Sequence, residues 1–150
     1  MKKSILIALS ILWAAVYLYA ADGLVNVPSI FSVEKTADRI ENILNEKGIT
    51  IFNRIKHSEG AGKIGIELRD TELIIFGNPK LGSPLMKCQQ SVAIDLPQKV
   101  LIWEDDNAKV WISYNDPGFL EKRHNITGCE EVILKIEQAL AGIAKAASTE

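Results

Sequence analysis

Hydrophobic and polar positions along the chain change period several times, and each change marks an element. The stretch "GLVNVP" reads as a short apolar strand, and "SVEKTADRIENILNEKG" then places Val33, Ala37, Ile40 and Leu44 at helical spacing. Ser32 is positioned to cap that helix and Gly48 to end it. In "ITIFNRI" the residues Ile49, Ile51 and Ile55 alternate with Thr50, Phe52 and Arg54, which predicts a strand whose isoleucines face the helix. Glycines at 60, 62 and 65 weaken any helix in "KHSEGAGKIGIELRD", so a short helix or loop is expected before the strand "TELIIFG".

The later elements carry clearer signals. Two alternating runs in "KVLIWEDDNAKVWISYND" flank the polar turn Asp105 to Ala108 and predict an antiparallel hairpin. Asp116 and Pro117 open a short helix reaching about Arg123. Thr127 with Glu130 has the spacing of a capping box for a last helix, which turns Cys129, Val132, Ile133, Ile136, Leu140 and Ile143 inward. Strands and helices in this order predict an α+β fold, a mostly antiparallel sheet covered by helices.

One junction invites a chemical reading. "GNPKLGSP" follows a strand, holds two glycines separated by four residues, and precedes a helix expected to start at Ser83 and Pro84, with Leu85, Cys88 and Val92 on its inner face. A phosphate loop requires Lys then Ser or Thr where this chain has Ser83 then Pro84, and Pro79 removes a backbone donor. The expectation is a structural corner, with no nucleotide bound.

Composition then narrows the compartment. Apolar residues make up 47% and charged ones 24% of 150 positions, enough for one domain with its own core. Lys2 and Lys3 followed by an uncharged run from Ser4 to Ala21 read as a signal peptide over residues 1–21, or an uncleaved membrane anchor, ahead of a single domain over 22–150. The domain is therefore expected in the periplasm or outside the cell. Without the leader, 17 basic against 19 acidic residues becomes 15 against 19. That balance, with no basic cluster, argues against nucleic acid as a partner. Cys88 and Cys129 lie on inward helix faces and in an oxidising compartment are expected to form a disulfide.

Other chemistry is thin. His57 and His124 lack a partner at ligand spacing, so no metal site is expected. The acceptor motif at Asn125 is discounted because Thr127 is assigned as a helix cap. No serine lies in a nucleophile-elbow pattern and no paired carboxylates suggest acid–base work. Trp103, Trp111 and Tyr114 are better read as core or dimer contacts than as a stacking platform.

"TELIIFGNPKLGSPLM", "AIDLPQKVLIWED" and "KVWISYNDPGFLEKRHNI", in this order, resemble the domain of unknown function 302 family. The resemblance implies a small α+β fold similar to that of the TATA-box-binding protein and a tendency to dimerise. It places His57 where members often carry a histidine after the second strand. The cysteine pair departs from that pattern. The function expected is an exported, non-enzymatic binding or accessory module, homodimeric and without cofactor. Its partner is an unknown small molecule or protein in a groove near His57, Gly77, Asn78, Pro79 and Met86. The alternative is a thiol-redox or metal-handling protein using Cys88, Cys129 and His57.

Overall fold

A computed structural model describes residues 21–150; the leader expected over residues 1–21 lies, up to residue 20, outside them. In chain order the elements are β1 (Leu24–Ser29), α1 (Val33–Glu46), β2 (Thr50–Lys56), α2 (His57–Gly62), β3 (Thr71–Gly77) and α3 (Pro79–Cys88). A 3-10 helix (Gln90–Ile94), β4 (Gln98–Glu104), β5 (Val110–Asn115), α4 (Pro117–His124) and α5 (Glu130–Ser148) complete the chain. The five strands form one sheet in the order β1-β5-β4-β3-β2, and every neighbouring pair is antiparallel. The fold is α+β, as the pattern predicts.

Core residues come from one face of the sheet. Ile74, Val100, Ile102 and Ile112 are buried there against Ile40 and Leu44 of α1 and Ile136 and Leu140 of α5. Ser32 caps α1 by accepting from the Lys35 amide. The opposite face carries Leu73, Ile75, Leu101 and Trp103, which are only half-buried.

Three local expectations are corrected. In β2 the pairing passes from Ile51 opposite Phe76 directly to Asn53 opposite Ile75, so Phe52 is an extra residue and bulges outward. Beyond the bulge the faces exchange. Arg54, opposite Ile74, turns toward the helices, and Ile55, opposite Leu73, turns away. Second, α3 begins at Pro79, with Asn78 as its cap accepting from the Lys80 amide at 3.0 Å. Asn at the cap followed by Pro at the first helical position outcompetes the later Ser-Pro pair, leaving Ser83 and Pro84 inside the helix. The helix then stops at Gln89, whose extended backbone puts Val92 in the separate 3-10 helix and leaves Cys88 exposed, not on a core face.

Third, the capping box at Thr127 and Glu130 does not form. Asn125 and Gly128 both adopt positive φ, 51° and 74°, and this moves the start of α5 to Cys129 as cap, without a side-chain bond. Glu130 instead accepts from the Gly128 amide at 2.9 Å. The inward set of α5 stands, with Ile133, Ile136, Leu140 and Ile143 buried.

Candidate functional site

Where β3 ends and α3 begins, the chain leaves a cavity of about 450 Å³ between the sheet, α3, the turn into β4, and α5. Ile49, Phe52 and Phe76 form its sheet side, Leu81 and Met86 its α3 side, and Ile136, Ala139 and Ile143 its α5 side. Leu96 and Pro97 close the remaining wall. Glycine at position 77 suits this close packing, because a Cβ there would approach the Phe52 ring to 3.1 Å and Pro97 to 3.3 Å. The bulge that exposes Phe52 is also what delivers its ring to the rim.

Gly77, Asn78, Pro79 and Met86, four of the residues named from sequence, line this cavity. His57 does not. Thr50 pairs with Gly77 at one end of β2 and Lys56 with Glu72 at the other, so His57 lies beyond the far end of the strand, about 15 Å along it from Phe52 of the cavity. It is exposed at the start of α2. Phe52, Leu96 and the α5 residues were not identified from sequence. The available signal was Asn78-Pro79, a cap and first-turn pair that would have drawn α3 back onto the strand end.

Among the described residues, none that lines the cavity is Asp, Glu, Lys, Arg or His. Its polar side chains are Asn78, already used as a cap, Ser83 and Gln98. The rest of the surface is apolar, the kind that gains free energy when water is displaced from it.

Charge is concentrated elsewhere. Arg54, drawn to the helix side by the bulge, donates to Glu72 at 2.6 Å, Asp38 at 2.7 Å and Glu41 at 2.8 Å. Burial lowers the guanidinium's affinity for its proton, but these carboxylates more than offset that and hold its pKa above the ordinary arginine value. The aromatics of the hairpin are also occupied. Trp103 donates to Ser113, which donates to Asn26, while Trp111 donates to Asp105 beneath the Lys109 ammonium. Tyr114 is buried on the opposite, helix-facing side. Trp103 and Trp111 are cross-strand partners on the face that Tyr114 does not share.

Cys88 and Cys129 are disulfide-bonded with Cα atoms 6.4 Å apart, tying the end of α3 to the start of α5. Among the described residues no group of three or more His, Cys, Asp and Glu is arranged to hold a metal ion. His124 is enclosed between Ser91 and Asp95.

An antiparallel five-stranded sheet with α1 and α5 packed on its core face, and an uncharged cavity at the strand ends, defines a two-layer α+β domain. Residues 25–143 match the family described as Domain of unknown function DUF302, and the chain belongs to that family. The chain resembles a crystal structure of an uncharacterized conserved protein DUF302 from Bacillus stearothermophilus with a TM-score of 0.76 at 19% identity, covering 85% of this chain and 99% of that one. It is 42% identical over 113 residues to a protein named fluoride-specific ion channel FluC 1 in Brucella suis, covering 75% of this chain and 44% of that protein. The protein of the same name in Brucella abortus matches at 42% over 113 residues, covering 75% of this chain and 42% of its own length. The chain thus spans less than half the length of these curated relatives.

Proposed function

We propose that this chain is an exported binding or accessory module that holds an uncharged, apolar small molecule in the cavity between β3, α3 and α5, and that it works as a homodimer. The observation that carries the reading is the 450 Å³ cavity with no ionisable side chain on its wall. Export rests on the basic start and apolar run of residues 1–21.

The dimer reading rests on a self-complementary pair of apolar surfaces. Ile64, Ile66 and Leu68 alternate along the segment before β3 and are 74%, 56% and 45% exposed. The same molecule presents half-buried Leu73, Ile75, Leu101 and Trp103 on the sheet face that the core does not use. A second copy supplies each surface with the other. The disulfide serves as a clamp across two walls of the cavity, and the channel activity named for the Brucella relatives is not carried over to this domain.

The test is displacement of the uncharged fluorophore phenylnaphthylamine, together with mass analysis of an organic extract of the purified protein. Saturable fluorescence that Ala139→Phe abolishes, with an unchanged melting temperature, is the expected result. Equal binding by that variant would place the ligand elsewhere, and no binding by the unaltered protein would overturn the reading.

A further inference from the structure

The segment that lends Ala93 and Leu96 to the cavity also carries Ser91 and Asp95, and both of these meet His124 at the end of α4. Ser91 Oγ lies 3.0 Å from Nδ1 of the imidazole and Asp95 Oδ2 lies 2.6 Å from Nε2. The geometry points to a second, separate site: a Ser91–His124–Asp95 relay in which Ser91 is an activated nucleophile for acyl transfer from carboxylic esters. This inference does not rest on the ligand reading of the cavity.

The proton positions follow from the chemistry of the groups. An ionised carboxylate only accepts, so Nε2 carries the hydrogen and donates it to Asp95. The neutral ring then presents a lone pair at Nδ1, and the Ser91 hydroxyl donates to it. Nucleophile, base and orienting carboxylate are thereby in sequence, the arrangement that activates serine on unrelated folds. Asp95 is itself fixed by the Arg123 guanidinium at 3.2 Å.

Burial separates this arrangement from an ordinary tie between two elements. The side chains of His124 and Asp95 are 7% and 12% exposed, and their bond, with that of Arg123 to Asp95, already fastens the end of the 3-10 helix to α4. Ser91 is exposed and its hydroxyl has water available, so packing does not demand that it sit on the imidazole. An exposed hydroxyl beside an oriented base is accessible to esters with small or protruding acyl groups.

In the proposed step Ser91 Oγ adds to the ester carbonyl carbon as its proton passes to Nδ1. The bond from that carbon to the alkoxy oxygen breaks, and the leaving oxygen takes the proton from His124 and departs as the alcohol. Water then adds to the acyl-serine by the same route, releasing the carboxylic acid and restoring Ser91 and His124. No electrons are exchanged with any other group.

The whole chain, incubated with an alkyl fluorophosphonate and digested, is expected to yield one phosphonyl adduct, on the peptide containing Ser91. Hydrolysis of p-nitrophenyl acetate should fall in Ser91→Ala and His124→Gln by roughly a hundred- to ten-thousand-fold, the range typical of a positioned general base. Ser91→Ala should keep both the melting temperature and phenylnaphthylamine binding, which distinguishes failure here from failure of the cavity reading. His124→Gln removes a buried partner and can lose the fold, so the adduct map on the unaltered chain decides. An unlabelled Ser91, an adduct on another residue, or Ser91→Ala hydrolysing the ester like the unaltered chain would overturn the proposal.

Discussion

Arg54 shows how much one side chain can be asked to hold. It is 17% exposed and pairs with three carboxylates, of which Glu72 is 7% exposed and has little access to water. Arg54→Ala leaves Glu72 as a buried charge without a partner, and is expected to cost about 3–5 kcal/mol, read as a lower midpoint in denaturant at unchanged slope. Asp105 sets the hairpin turn by a different route. It accepts from the Trp111 indole at 2.8 Å and from the Lys109 and Asn107 amides at 2.9 Å each. The Trp111 bond first, then the backbone amides, hold its pKa below the ordinary value of 3.8. A carboxylate depressed in the folded state adds stability above its unfolded value and loses it as pH falls through the folded one. Asp105→Asn should therefore lower the melting temperature near neutrality and converge with the unaltered protein below about pH 4, so that its acid fall is shallower.

At the scale of elements, α3 decides most of the site. Its cap is Asn78, so Asn78→Ala should destabilise by about 1 kcal/mol while Ser83→Ala, in the helix interior and exposed, should be close to neutral in the same melts. The reverse order would restore a helix start at Ser83. The Cys88–Cys129 bond then fastens α3 to α5 across a sequence separation of 41 residues. Closing a loop of that length is worth about 4 kcal/mol in the chain-entropy account. Replacing both cysteines by serine should lower the unfolding midpoint by a corresponding amount, and matched melts of the unaltered protein with and without reductant should reproduce the loss.

For the whole molecule, a core on one face of the sheet leaves the other face and the Ile64 to Leu68 segment as apolar surface. If a second copy covers them, Ile66→Asp buries a charge in that interface and should yield monomers in light scattering after size exclusion. A variant that stays dimeric would move the contact elsewhere. The same layout separates the cavity, at one end of β3, from His57, at the other. His57→Ala is therefore expected to leave phenylnaphthylamine binding intact.

What the chain's own pattern determined was the part of the fold that local chemistry encodes. The amphipathic repeat of α1 with its Ser32 cap, the alternation of β4 and β5 about a polar turn, and the inward set of α5 each follow from neighbours a few residues apart. The α+β layering followed from these, whereas the cysteine pair, expected from two inward helix faces, joins a buried Cys129 to an exposed Cys88. Tertiary structure decided whatever depends on residues that meet from a distance. A single extra residue at Phe52 exchanges the two faces of β2, because side chains alternate with period two, and no local signal distinguishes that bulge from a regular strand. The pairing of β1 with β5, the cavity assembled from four segments, and the meeting of Ser91 and Asp95 with His124 were likewise set by which whole-chain packing buries the most apolar surface. That sum runs over the entire domain, and it is not written at any single position.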